Sequence, residues 1–363
     1  MTKIAILNDI HKGARNDLGA LQRQQAKFDN LLIKEIDKRK IETVLIPGDV
    51  FDRRKYINFV TLGEAGKSLF EPLAERVQSG QLQVHITPGN HDIPYRNSLR
   101  YSSLPLLLNG YPFDIHMDPV EINFGQQNVL MLPWICAENY EETLQKINDS
   151  NARYCLGHLE LVGFEMHRGD FSKVGMNPET FSKFHWVGSG HYHHRSIKDN
   201  IHYLGATYQF TWADYKDPRG ITFLDTDTGH YEFFDNPFES FHIYHYNDVK
   251  NELYVHQDTS KHFHHYTDSF VKIKIEKKTN SYMFDLLLEQ IGKYNPAKIS
   301  VIEESLEIFN DMNMEDENLN VEDTPTLIGK YIDNLQLEEK SDKLKSFMTG
   351  IYQEAISLEN VDQ

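Results

Sequence analysis

Cysteine is nearly absent: 363 residues hold two, Cys136 and Cys155. No disulfide framework organises such a chain, and a reducing compartment is its expected setting. No apolar run approaches the roughly 20 residues needed to cross a bilayer. The opening, MTKIAILNDIH, enters a strand-like segment without a basic and then apolar leader. A cytoplasmic protein without a membrane partner is expected. Positive charge is also lacking, with a formal net of −17. That sign argues against a nucleic-acid partner until its distribution is read. Residues 303–363 hold 16 Asp or Glu and four Lys, leaving −5 for residues 1–302. Carboxylates gathered for cations account for part of the remainder, because bound ions are not in the formal count.

What is present in the first half is strand–helix–strand repetition. Lys3–Leu7, Thr43–Ile46 and Val84–Thr87 read as buried strands. Leu18, Leu21, Phe28, Leu31, Leu32 and Ile36 recur at helical spacing, as do Phe59, Leu62, Ala65, Leu69, Leu73 and Val77. This predicts an α/β class with a parallel or mixed sheet covered by helices. From about Phe113 shorter strands and turns predict a second sheet packed on the first. After Pro237, Phe270–Ile275, a helix over SYMFDLLLEQIGKY and KISVIE form a small β-α-β unit. Residues 303–323 carry nine acidic residues and no Lys or Arg, which predicts a linker. Two short helices follow, the first opened by Thr324-Pro325 and the second by Ser341.

Polar motifs sit where apolar runs end. IAIL leads to Asp9-x-His11, VLIP to Gly48-Asp49-x-x-Asp52, and VHITPG to Asn90-His91-Asp92. YCLG leads to His158, and VGSG to His191-x-His193. In open α/β sheets functional groups collect beyond the carboxyl ends of strands. Residues two apart on an extended chain leave the same face, so each D-x-H or H-x-H pair can grip one ion. Asp49 can bridge two ions, Asn90 adds a neutral oxygen, and imidazole with carboxylate and no thiolate suits Mn, Fe or Zn rather than Ca. Two ions about 3.5–4 Å apart are the apparatus for displacement at phosphorus. His91 is the candidate to protonate a leaving oxygen, and Asp92 the candidate to orient its ring.

Each motif taken singly is a weak signal. The chain has 18 histidines, and His85, His116, His185, His202 and His230 read as strand or turn residues. The His262-Phe263-His264-His265 tract reads as a solvated strand ahead of a metal site. His167 and His194 lie beside motifs. Asp52 reads equally as a cap, an ion-pair partner or a support to the site. Arg53, Arg54, Lys55, Arg96 and Arg100 follow two of the motifs and are candidate phosphate contacts, or simply a charged exposed face.

The five motifs together resemble the calcineurin-like metallophosphoesterase superfamily. Within it, GDVFD, GNHD and GHYHH are similar to SbcD-type nucleases of DNA double-strand-break repair, and LPWICAENYEE, GHLELVGF and DPRG to the small subunits of tailed-phage recombination endonucleases. The resemblance implies a two-sheet β-sandwich flanked by helices, with a small α/β capping domain and a C-terminal helical pair. It implies one ion on Asp9, His11, Asp49 and His193, a second on Asp49, Asn90, His158 and His191, and His91 supporting the leaving group. It further implies manganese, exonuclease and endonuclease action on DNA, and a homodimer working with an SbcC-type coiled-coil ATPase, in the host cytoplasm if the chain is phage-encoded. The domains expected are a nuclease domain at 1–235, a DNA-capping domain at 236–302, the acidic linker at 303–323 and an ATPase-docking segment at 324–363. The same metal cage also serves phosphatases and small-substrate phosphodiesterases, because specificity lives in the surrounding loops. A scaffold without chemistry is the non-enzymatic alternative, and it would lack ligands that are all in place here.

Overall fold

The computed structural model describes residues 3–124, 127–167, 169–249 and 260–303. Its strands β1 (Lys3–Ile6), β2 (Thr43–Pro47), β3 (Gln83–Thr87) and β4 (Asp114–Ile115) run parallel, side by side. Every residue of β2, TVLIP, is buried, as expected of a parallel strand covered on both faces. Helix Gly19–Arg39 connects β1 to β2 and buries Leu21, Phe28, Leu32 and Ile36 along one face. Lys38 and Arg39 occupy its last turn, and Lys40 ends it in a left-handed conformation, its N–H returning to the carbonyls of Ile36 and Asp37.

The second expected helix is present but not uniform. Phe59–Ala65 and Glu71–Gln78 are α-helical, and Gly66–Phe70 between them is a π-turn. Pro72 explains the widening. It has no N–H to give the Ser68 carbonyl, so the regular ladder cannot run through it, and Glu71 N–H reaches back to Gly66 instead.

Strands β5 (Val120–Phe124), β6 (Gln127–Leu132) and β7 (Tyr154–Gly157) begin a second sheet. A separate ribbon of β8 (Glu165–His167) and β9 (Asp170–Phe171) follows, and then β10 (Trp186–Ser189), β11 (Ser196–Lys198) and β12 (Ile201–Tyr203) complete that sheet. The chain returns to the first sheet through β13 (Gly220–Asp225) and β14 (Tyr231–Asp235). The orders are β14-β13-β1-β2-β3-β4 and β11-β12-β10-β7-β6-β5.

Three apolar layers hold this together. Ile4, Ile6 and Leu45 of the first sheet meet Met131, Tyr154, Leu156 and Trp186 of the second. On the outer face of the first sheet, Ala5, Val44 and Ile46 pack with Phe28, Leu32 and Leu69 of the helices. On the outer face of the second, Leu130, Cys155 and Val187 pack with Ile147 and Phe181. Alternate residues of one strand thus serve two cores, the period of a pleated strand. The architecture is the two-sheet sandwich flanked by helices that the motifs imply.

Beyond β14, strands β15 (Phe241–Asn247), β16 (Phe270–Lys277) and β17 (Lys298–Glu303) form a parallel three-stranded sheet. Helix Ser281–Gly292 covers it, opened by Asn280, whose Oδ1 accepts the N–H groups of Tyr282 and Met283. Val271, Ile273, Phe284, Leu287 and Ile291 make its core. The sequence announces β16, the helix and β17, but not β15. FHIYHYN places aromatic and histidine side chains on both faces and so hides the alternation. Buried amides tie this sheet to the sandwich: Gln24 donates to the Thr267 carbonyl at 2.9 Å, and Gln209 Oε1 accepts from Ser240 N–H at 2.8 Å. Met1–Glu304 accordingly forms one compact unit, within which the expected 235/236 boundary falls. The expected linker at 303–323, beyond Glu303, and the helical segment at 324–363 lie outside the described residues. Among the described residues no helix is long and apolar enough to cross a membrane.

Candidate metal centre

The carboxyl ends of β1, β2 and β3 deliver Asp9 and His11, Asp49, and Asn90 with His91; β7 and β10 deliver His158, His191 and His193. Asp9, His11, Asp49, Asn90 and His158 are all buried. Four of these residues hold a left-handed backbone, with φ of 46° at Asp9, 37° at His11, 52° at Asp49 and 84° at His191. That region is uncommon for residues other than glycine, and Asp, Asn and His enter it most readily. The glycines are required by close approach: a Cβ on Gly48 would lie 2.6 Å from His158 Nδ1, and one on Gly89 would strike the Asp49 carboxylate.

Backbone bonds fasten the loops to one another. His11 N–H donates to the Asp49 carbonyl at 3.0 Å, Lys12 N–H to Val50 at 2.9 Å, and Asp52 N–H to Lys12 at 3.1 Å. Asp9 accepts the His191 N–H at 3.0 and 3.2 Å, which draws the two sheets' loops together.

The ring nitrogens show what the cluster can hold. His158 Nδ1 lies 3.0 Å from the Pro47 carbonyl, which can only accept, so the ring proton sits on Nδ1. The Nε2 lone pair then faces Asn90 Oδ1 at 3.0 Å and Asp49 Oδ2 at 3.2 Å. His191 Nδ1 meets the same Asn90 oxygen at 3.0 Å. On the other side His11 Nε2 lies 3.0 Å from His193 Nε2 and 3.5 Å from Asp49 Oδ2. Lone pairs directed at one another repel unless a proton or a cation stands among them, and a donor set gathered in this way fits a metal centre. Asp9, His11 and His193 bring ligand atoms within 4.8 Å of one another, and so do Asp9, Asp49 and His158. Asp49 Oδ2 faces both sides, as a bridging carboxylate would.

The electrostatics agree. Burial disfavours the charged form of His158, but Asp49 and Asp9 outweigh it and raise the imidazole to about 9. Burial is likewise outweighed at His11, where Asp52, Asp49 and Asp9 bring it to about 9. Burial raises the Asp9 carboxyl, while His158, His91 and His11 overcome burial at Asp49 and hold it well below the usual carboxylate range. Burial lowers His191 and His193, the latter further beside His11 and Arg219. Carboxylates at this density demand positive charge, which a divalent ion can supply in place of protons.

His91 stands at the edge of this cluster, its ring centroid 4.9 Å from that of His11. Its Nδ1 donates to the backbone carbonyl of Asp52 at 2.5 Å. Asp92 does not orient it. The Asp92 carboxylate is fully buried and accepts N–H groups of Val50 at 3.1 Å, Phe51 at 3.2 Å and Gly89 at 2.9 Å. It clamps the second motif to the third, because neighbouring side chains in the tight Gly89–Asp92 turn diverge. Asp52 holds His91 by its carbonyl and lies 3.4 Å from His11 Nδ1 through its carboxylate.

The basic candidates are dispersed around the rim. Arg53 stacks over Tyr56 at 4.6 Å and Arg100 over Tyr101 at 5.4 Å. Arg54 is half-buried, and burial together with the facing Arg96 guanidinium lowers it below the usual arginine range. Lys55 is exposed.

Several supporting residues escaped the sequence reading. Trp134 packs against His191 at 5.1 Å and His158 at 6.0 Å, and its Nε1–H donates to the Arg96 carbonyl at 3.0 Å. Arg219 donates to the His193 carbonyl and is fixed by Asp214 and Asp217, and Asp217 also meets His194 Nδ1 at 3.0 Å. Trp134 and Arg219 lie within LPWICAENYEE and DPRG, phrases that carry the family likeness without declaring a role. The His262–His265 tract is not a strand: Ser260–Phe263 and His264–Tyr266 are short helical turns that bury Phe263 and Tyr266 and leave His262, His264 and His265 exposed.

The chain is 29% identical to "Exonuclease subunit 1" of Enterobacteria phage T4, over 97% of this chain and 99% of the relative. Among solved structures, an archaeal phosphodiesterase matches 64% of this chain and 99% of its own, at 15% identity and a TM-score of 0.34. GAP50, the anchor in the inner membrane complex of Plasmodium, matches 64% and 88%, at 11% identity and a TM-score of 0.38. The model of the calcineurin-like phosphoesterase family matches residues 2–195, a span of more than half of the chain within which all seven candidate ligands fall, and the chain therefore belongs to that family.

Proposed function

We propose that this chain is a manganese-dependent DNA nuclease, hydrolysing phosphodiesters with two ions as both exonuclease and endonuclease. In this reading it is the nuclease subunit of an SbcC-type ATPase complex in recombination and double-strand-break repair. The observation that carries the proposal is the pair of donor groups meeting at Asp49 Oδ2, 3.5 Å from His11 and 3.2 Å from His158. Asp9, His11, Asp49 and His193 hold one ion; Asp49, Asn90, His158 and His191 hold the other. Nitrogen and oxygen donors without thiolate suit manganese. When bound, two ions supply an activated water and neutralise charge on the phosphate.

The chain's own residues do the rest. His91 Nδ1–H is committed to the Asp52 carbonyl, so Nε2 is the nitrogen left for the leaving oxygen, and the ring passes it a proton from its doubly protonated imidazolium form. Arg53, Arg54, Lys55, Arg96 and Arg100 contact phosphates flanking the scissile one. Residues 236–302 cap the DNA, and residues 324–363, beyond the acidic 303–323 linker, dock on the ATPase. A relative named as an exonuclease subunit supports a nucleic-acid substrate and a partner. Phe59 and Val60, 88% and 65% exposed at the first turn of a helix, suit the face of a homodimer.

The test is cleavage of linear DNA with Mn by wild type and by Asp49→Ala/His193→Ala. Cleavage by wild type alone is expected. Hydrolysis of a chromogenic diester but not of DNA, even with the ATPase supplied, would return the protein to the small-substrate phosphodiesterases.

A further inference from the structure

The imidazoles of the centre each have a second nitrogen to account for. His158 gives its Nδ1–H to Pro47, His91 gives its own to Asp52, and His11 Nδ1 faces the Asp52 carboxylate. For His191 the nitrogen on the far side of the ring is Nε2, and the group facing it is Glu160 Oε1 at 3.7 Å. Neutral imidazole carries one N–H and one lone pair, so the acceptor at one nitrogen decides what the other presents. His191 Nδ1 is the nitrogen that lies 3.0 Å from Asn90 Oδ1 and faces the cluster. It presents a lone pair only if the proton resides on Nε2.

We propose that Glu160 is a positioning residue, which takes the Nε2–H of His191 and so fixes the tautomer whose Nδ1 is available to a cation. At 3.7 Å the pair stands just beyond direct hydrogen-bond distance, and the Glu160 side chain, 40% exposed, is not packed in on all sides. The ring has little freedom to move away: Trp134 lies 5.1 Å from it and Tyr192 4.9 Å. The Glu160 backbone is also held, its carbonyl accepting Met176 N–H at 2.8 Å. Gly175, at φ 115°, permits that contact, since a Cβ there would strike the Glu160 carbonyl. This role rests on the metal-centre reading given above.

Mn binding to the full chain, measured by equilibrium dialysis with electron paramagnetic resonance of the free ion, tests it. Wild type should take up two ions. Glu160→Leu should bind one of them about 10–100-fold more weakly, the range for partners of ligating histidines, with an unchanged melting temperature. Glu160→Gln keeps an acceptor oxygen and should stay within about threefold of wild type on the same argument. No uptake by wild type would overturn the metal reading beneath the proposal. Two ions bound with equal affinity by wild type and Glu160→Leu would overturn the role of Glu160 alone. Glu160→Gln as weak as Glu160→Leu would also overturn it, because charge rather than an acceptor would then be responsible. Should Glu160→Leu fail to fold, Glu160→Ala carries the same expectation.

Discussion

The ammonium of Lys12 lies 2.7 Å from Asp29 Oδ2, a buried ion pair one residue along from His11. Ser68 Oγ reaches the same oxygen at 2.6 Å, and the Tyr208 hydroxyl donates to Asp29 Oδ1. Asp29→Ala should cost about 3–5 kcal/mol, the penalty for stranding a buried charge, whereas Lys12→Met combined with Asp29→Leu should recover most of it. Urea unfolding of the three proteins measures both. Equal losses in single and double variants would mean that shape, not charge, dominates there.

Asp92 should matter for metal retention. Removing its carboxylate frees Val50, Phe51 and Gly89 N–H groups beneath Asp49 and Asn90. Asp92→Ala should weaken Mn affinity by about 10–100-fold, read by dialysis. A fall in turnover at full metal occupancy would instead place Asp92 in the proton path of His91.

His91→Ala should keep its metal and still bind DNA, while single-turnover cleavage slows by about a hundredfold or more. Loss of metal from this variant would make His91 a ligand and refute the assignment.

Acid stability should depend on His202. Its ring is 7% exposed between Trp186 and Tyr231, and burial lowers it to about 4. The folded form stays neutral while an unfolded histidine, near 6.5, takes up a proton. Stability from this residue is therefore intact above about 6.5 and declines as pH falls toward 4. His202→Gln should flatten the fall in urea midpoint between pH 7 and pH 5; an identical slope in both proteins would assign the acid sensitivity elsewhere.

Deleting residues 324–363 should abolish co-purification with the ATPase while DNA cleavage by the isolated chain persists. Undiminished co-purification would exclude this segment as the docking element.

The sandwich and its candidate ligands were legible because each depends on local pattern. Apolar runs such as TVLI end at Gly48-Asp49, and a strand's direction fixes where the following residue goes. Less legible were features that depend on distant partners. Asp92 beside His91 reads as an orienting pair, yet its partners lie some forty residues earlier, at Val50 and Phe51. Lys12 and Asp29 give no sign of being buried together, because a lysine and an aspartate ordinarily stay in water. Glu160 stands in GHLELVGF as one more acidic residue, and only folding brings it to His191. The π-turn before Pro72 was foreshadowed by the proline itself, which a tally of apolar spacing passes over.

The left-handed backbone at Asp9, His11, Asp49 and His191 bears on any redesign of the centre. Exchanging Asp9 or Asp49 for glutamate, the obvious move to reach a larger or differently placed ion, changes more than side-chain length. It installs a residue that resists the conformation aspartate tolerates. Retargeting the ion selectivity of this protein is therefore a loop-grafting problem, in which the turn and its ligand must be exchanged as one piece.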